Sequence, residues 1–195
     1  MPSKLKRARQ TGRQPEADAG NGVAGIKRFA AIDFETADYG QDSACALSVV
    51  VAEPTGILRT EHWLIKPPRQ QFFFTHIHGI TWRDVMSKPC FGDIWREAAL
   101  LLEGVDFVAA HNARFDKGVL RACCTSHSVA PPPLPFVCTV KLARKAWNIR
   151  PTTLPDVCRK FSIPLRHHDA LSDARACAQI VIEAIKAEFN PMVAV

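Results

Sequence analysis

Apolar positions along the chain fall first into short strand-like blocks and then into helical spacing. Residues 28–34, 44–52 and 57–65 are three such blocks, and Glu53-Pro54-Thr55-Gly56 between the last two has turn chemistry. Connections this short predict an antiparallel meander, which Pro67-Pro68 ends. Beyond Thr75-His76-Ile77-His78-Gly79-Ile80 the period changes: Phe91, Ile94, Trp95, Ala98, Leu101 and Leu102 mark one helical stripe, closed by Gly104. Residues 106–110 predict a short buried strand and 113–126 a helix. The run Ala130-Pro131-Pro132-Pro133-Leu134-Pro135 fits neither and reads as a rigid connection or a polyproline ligand. A fifth strand at 136–138 leads into a helix carrying Val140, Ala143 and Trp147. Thr153-Leu154-Pro155 opens a short helix with Leu154, Val157, Cys158 and Phe161 on one side. The last helix spans 170–188, with Leu171, Ala174, Ala178, Val181, Ile182 and Ile185 inward and small residues near its start. Strands first, then helix and strand in alternation, predict an α/β domain with a mixed sheet flanked by helices.

Composition narrows this little. The chain has 195 residues, 47% hydrophobic and 23% charged, which fits one ordinary globular domain plus a tail. No apolar run approaches the ~20 residues of a membrane span, and residues 1–14 are basic with no apolar segment behind them, so a cytoplasmic location is expected. Seven scattered cysteines without a C-x-x-C pair read as reduced core residues rather than a zinc or redox motif.

Charge is more informative when divided. Residues 1–28 hold seven Lys/Arg and two acids, which accounts for +5 of the net +6. We therefore expect a disordered basic tail at 1–26, a folded domain at 27–189 and a short C-terminal tail at 190–195. The basic arm either tracks phosphates or is simply solvated.

Candidate chemistry begins at the end of the first strand. Residues i and i+2 of a strand face the same way, so Asp33 and Glu35 project together. Like charges that close raise each other's pKa unless a cation lies between them, and hard oxygen ligands suit Mg²⁺ or Mn²⁺ better than zinc. Asp116 and Asp173 sit in the first turns of two later helices. Four carboxylates on separate elements can converge on two divalent cations, the charge balance of a two-metal phosphodiesterase. Taken singly, each helix-start Asp reads equally well as a complement to the helix dipole.

The order Asp33-x-Glu35, His111-Asn112-Ala113-Arg114-Phe115-Asp116 and His168-x-x-x-x-Asp173 resembles the three motifs of the DEDDh (DnaQ-like) 3′-to-5′ exonucleases. That family includes the proofreading epsilon subunit of bacterial DNA polymerase III and RNase T. His78-Gly79-Ile80-Thr81 resembles a segment common between the first two motifs in the epsilon-like branch. The resemblance covers roughly residues 28–188 and implies an RNase H-like mixed five-stranded sheet, three antiparallel strands followed by two more. It implies two divalent cations, Mg²⁺ or Mn²⁺, with Asp33 bridging both, Glu35 and Asp173 completing the coordination of the first metal and Asp116 serving the second metal through water. His168 would be the general base that deprotonates the attacking water, with His167 or Asp169 as neighbours able to take that role. Substrate contacts are expected from Phe34, Thr36, His78, Asn112 and Phe115. After Thr36 the chain reads Ala37-Asp38-Tyr39-Gly40 instead of the frequent Thr-Gly-Leu. Its single tyrosine, Tyr39, excludes the DEDDy subclass.

The implied reaction is hydrolysis of the 3′-terminal phosphodiester of DNA or RNA, releasing nucleoside 5′-monophosphates. The implied partner is nucleic acid with a free 3′ end, single-stranded, with at most a loose association with a DNA polymerase, since only 190–195 follow the last helix. The rival from another class is an exonuclease fold that binds nucleic acid or a polymerase without cutting. No G-x-S-x-G, Walker A or Gly-rich dinucleotide signature points to a different chemistry.

Overall fold

The computed structural model describes residues 25–195. The basic arm expected at 1–26 lies almost wholly outside the described residues. Five strands form one sheet: β1 (Phe29–Thr36), β2 (Ala44–Glu53), β3 (Gly56–Leu64), β4 (Val108–Ala110) and β5 (Phe136–Cys138). Their order is β3-β2-β1-β4-β5. The first three pair antiparallel, as their tight turns require, while β1 with β4 and β4 with β5 are parallel. The first strand is therefore central. Helices cover both faces: α3 (Phe91–Ala98) and α4 (Arg114–Ser126) on one side, α5 (Thr139–Trp147), α6 (Leu154–Phe161) and α7 (Ala170–Lys186) on the other.

Period-2 alternation along β1 divides the core. Ala30, Ile32 and Phe34 pack with Phe91, Trp95 and Leu120, whereas Phe29 and Ala31 pack with Leu142, Ala174 and Ile182. Asp33 and Glu35 continue the second set by parity and so project to the α7 side. The small residues predicted at the start of α7 serve close approach: Ala174, Ala176, Cys177 and Ala178 are fully buried. Pairing of β1 with β4 covers Ala30 and Ala31 only, so Asp33 and Glu35 lie beyond it, outside the carboxyl end of the parallel pair. Ligands of open α/β sheets sit in that position.

Local chemistry sets the helix ends. Asp169 caps α7 by accepting from the Ser172 amide at 3.0 Å, and Thr153 caps α6 with Pro155 in its first turn. The helix predicted through Leu102 tightens after Ala98 into a 3₁₀ turn, Ala99–Leu102. Two four-residue helices, α1 (Thr75–His78) and α2 (Trp82–Val85), were too short to leave a periodic signature. The Thr81/Asp84 capping box of α2 was the signal available. Residues 190–195, expected as a tail, fold into a 3₁₀ turn, Pro191–Ala194, with Ala194 fully buried and Lys145 Nζ donating to the Val193 carbonyl. The proline run is a packed connection, with Trp95 Nε1 donating to Ala130 O at 3.1 Å. Among the described residues, no helix is long and apolar enough to cross a membrane.

Candidate active site

Three elements bring the four carboxylates together. Strand β1 supplies Asp33 and Glu35. The amide of Phe34, between them, donates to Asp116 Oδ1 at 3.1 Å across 82 positions of sequence, so the first turn of α4 is fastened to the strand end. The first turn of α7 supplies Asp173, whose Oδ2 accepts from the His168 amide at 3.1 Å and lies 3.0 Å from His167 Nδ1. Asp116 and Asp173 are buried, 1% and 4% exposed, while Asp33 and Glu35 are partly open. A cavity of about 330 Å³ adjoins them, lined among others by Asp33, Glu35, Asp173, His168, His78 and Phe115.

The acids disturb one another as like charges in a partly dry site must. Burial, then repulsion from Asp116, Asp173 and Glu35, holds the Asp33 carboxyl well above its ordinary range. Glu35 is pushed up to about 8 by burial first, then by Asp173 and Asp116. Burial lifts Asp116 to about 7 against the lowering effect of the Phe34 amide. Asp173 is raised too, mainly by burial. Among the described residues its Oδ1 is buried without a hydrogen-bond partner. A buried acceptor left open costs about 1–3 kcal/mol, and together with three raised neighbours it is what an arrangement for a divalent cation presents. The ligand atoms of His167, His168 and Asp173 also lie within 4.8 Å of one another.

The two histidines differ. His167 is engaged with Asp173, whereas the ring of His168 makes no hydrogen bond among the described residues and stacks on His167 at 3.8 Å between centroids. His168 adopts φ +66°, which turns the chain into the cap of α7. Burial and the neighbouring His167 hold its pKa below 6.5, so the ring is neutral at neutral pH.

The sequence model of the RNase T family, described as an exonuclease, matches residues 30–181. The chain belongs to this exonuclease family. Its DnaQ-like character appears in the relatives. The PolC-type DNA polymerase III of Thermotoga petrophila is 31% identical over 162 residues, covering 81% of this chain and 12% of the polymerase. The chain thus spans about an eighth of that relative's length. Among solved structures, Exonuclease X in complex with 5′-overhanging duplex DNA is 25% identical with a TM-score of 0.68, covering 82% of this chain and 92% of that one. The nuclease domain of 3′hExo, a DEDDh family member bound to rAMP, shares the fold with a TM-score of 0.74 at 17% identity, covering 86% and 96%.

Within this exonuclease domain the expected substrate contacts separate. Phe115 is 43% exposed at the cavity. Phe34 is 3% exposed with its ring against Phe91 at 6.4 Å, so it is a core residue and not a stacking surface. Its contribution to the site is its amide. Asn112 faces a neighbouring cleft of Arg144, Arg150 and Thr152 instead of the carboxylate cavity. His78 spends both ring nitrogens: Nδ1 accepts from the Ile80 amide at 3.0 Å, so Nε2 carries the proton and donates to the Thr36 carbonyl at 3.1 Å. It clamps α1 to the end of β1, and Thr36 is reached through its backbone.

Residues that sequence reading passed over also shape this exonuclease site. His111 opens the second motif, yet Nε2 donates to Thr152 O at 3.1 Å and Nδ1 lies 2.9 Å from Thr139 Oγ1. Burial draws its pKa down to about 4, so it is a neutral brace. Arg69 binds both Asp38 and Asp42 across the β1–β2 loop.

Proposed function

We propose that the chain is a metal-dependent 3′-to-5′ exonuclease that hydrolyses the terminal phosphodiester of DNA or RNA and releases nucleoside 5′-monophosphates. One observation carries the reading. Four carboxylates from β1, α4 and α7 converge beside a cavity, mutually repelling, with a buried Asp173 oxygen and a rim histidine ring that have no hydrogen-bond partner among the described residues.

Asp33, Glu35, Asp116 and Asp173 would hold two Mg²⁺ or Mn²⁺ ions, and their four charges would balance the pair. When bound, such ions lower the pKa of water and stabilise charge developing on a leaving oxygen. The remaining work falls to the chain. Phe34 holds Asp116 in place through its amide, and the His168 amide and His167 hold Asp173. His168, neutral at working pH and with no competing partner among the described residues, accepts the proton of the attacking water and then loses it to solvent. Phe115, at the cavity edge, supplies a face for the terminal base.

The likeness to PolC-type DNA polymerase III supports a loose association with a DNA polymerase, and the basic arm supports attraction to phosphates. A non-cleaving binding module on the same fold is the competing reading. Incubating 5′-labelled single-stranded DNA and RNA oligonucleotides with Mg²⁺ or Mn²⁺, then with EDTA, separates the two. Shortening from the 3′ end that requires metal and is lost in Asp173→Ala is expected. Tight binding without shortening would establish the module instead.

A further inference from the structure

A second cleft opens where the carboxylate cavity ends. It has a volume of about 600 Å³ and is lined by Asn112, Arg144, Arg150 and Thr152, with His111 standing in the wall of both spaces. Its lining holds two arginines and no acid. Arg144 and Arg150 are exposed, and among the described residues neither forms an ion pair, whereas Arg28, Arg59, Arg69, Arg96, Arg159 and Arg166 each do. Asp156, the acid nearest to Arg150 along the chain, is engaged by Thr153 and Arg159. Cations gathered without a counter-charge repel one another, and a bound anion relieves that repulsion.

Hydrogen bonds fix the shape of this cleft. Arg144 Nε donates to Thr152 Oγ1 at 3.0 Å, and that hydroxyl donates to Ile149 O at 2.9 Å, so a buried threonine aims the guanidinium. Its outer nitrogens have no partner among the described residues. His111 Nε2 donates to Thr152 O at 3.1 Å and ties this wall to the carboxylate cavity. Asn112 turns the chain at φ +62°, its carbonyl accepting from the Phe115 amide at 2.9 Å, so that Asn112 lines the cleft while Phe115 lines the cavity. Planar guanidinium forks match the paired oxygens of a phosphate, and a side-chain amide adds a neutral donor. No Phe, Tyr or Trp lines the cleft, so bases find no stacking surface there.

We propose that Asn112, Arg144 and Arg150 form a subsite for a backbone phosphate of the substrate strand, one or two phosphates upstream of the bond being cut. This subsite rests on the exonuclease reading. A strand whose last nucleotide enters the carboxylate cavity and continues past His111 meets two arginines that no acid neutralises. A phosphate held there fixes the terminal nucleotide against the acids, as positioning at a distance from the chemistry does. Every nucleotide carries the same phosphate, so the subsite reads no sequence. It does read length. A dinucleotide, whose one phosphodiester lies among the acids, leaves the cleft empty, whereas a longer strand fills it.

The test uses 5′-labelled decathymidylate in which a neutral methylphosphonate replaces the second or the third phosphodiester from the 3′ end, leaving the first bond open to hydrolysis. Release of the first nucleotide in Mg²⁺ or Mn²⁺ gives kcat/KM for wild type, Arg150→Ala, Arg150→Lys and Arg144→Ala/Arg150→Ala. Both arginines are exposed, so the fold tolerates their truncation. In wild type one of the two replacements lowers kcat/KM about tenfold. In the double variant the all-phosphate strand is already slower by about that factor, and the same replacement costs nothing more. The preference for the decamer over a thymidylate dinucleotide falls about tenfold as well, less in Arg150→Ala and least in Arg150→Lys. A wild type indifferent to both replacements, or a double variant slowed by them as much as wild type, overturns the subsite. A wild type that releases no nucleotide from the all-phosphate decamer overturns the exonuclease reading itself.

Discussion

The backbone amide of Phe34, standing between Asp33 and Glu35, donates to Asp116 Oδ1 at 3.1 Å. One hydrogen bond thus sets the distance between the strand acids and the α4 acid, while the Phe34 ring anchors the same residue in the core. Asp116→Asn keeps the acceptor oxygen and removes the charge. We expect a folded protein whose hydrolysis falls at least about a hundredfold, since the lost carboxylate is asked to supply several kcal/mol through the metal. Near-normal turnover would remove Asp116 from the site.

Replacement of His168 tests the proposed proton acceptor apart from the proposed ligands. His168→Ala should bind Mg²⁺ or Mn²⁺, by calorimetry, about as wild type does, yet lose about 10²–10⁴-fold in kcat. Burial, then the neighbouring His167, holds His168 below the ordinary histidine value, so wild-type rate should fall only on the acid side of that value and the variant should lose this limb. His167→Ala should cost less. The opposite ranking would transfer the proton to His167.

Metal removal should change the sign of the pH dependence of stability. Glu35 is raised from 4.5 to about 8 and Asp116 from 3.8 to about 7. In that window the folded chain binds more protons than the unfolded chain, so stability without metal falls as pH rises from about 4 to about 8. Thermal melts in EDTA should therefore give a lower Tm at pH 8 than at pH 5. Added Mg²⁺ should raise Tm more at pH 8, where no protons compete for the carboxylates. A flat profile in EDTA would mean that the acids do not repel as their placement requires.

The Arg69 clasp carries a stability prediction. Asp38 is 7% exposed and is held below the usual carboxylate range chiefly by the Arg69 hydrogen bond. Arg69→Ala leaves that carboxylate without its partner. Because Arg69 is itself 40% exposed, solvent offsets part of the loss, and chemical denaturation should show about 1–2 kcal/mol of destabilisation.

Much of this was legible in the sequence because it depends on neighbours along the chain. Alternation placed Asp33 and Glu35 on one face, tight turns dictated an antiparallel start, and Thr153-Leu154-Pro155 marked a helix entry. Even the motif residues were separable from their surroundings by order and spacing. What period and spacing could not state is which side of a residue is used. Phe34 and Phe115 both flank an acid in the sequence, and only packing sends one ring into the core and leaves the other at the cavity. His111 and His168 both belong to recognised motifs, and only their partners make the first a neutral brace and leave the second open.

The sequence by itself determined the five strands, the longer helices and the family and singled out four acids, since local propensity and ordered motifs are properties of the chain alone. Tertiary structure decided that β1 is central, that Asp116 is reached through the Phe34 amide, that His78 is consumed as a clamp and that Tyr39 meets Phe73. Those relations join residues up to 82 positions apart. Their energies come from burial and pairing, which no stretch of chain possesses until the sheet has closed around it.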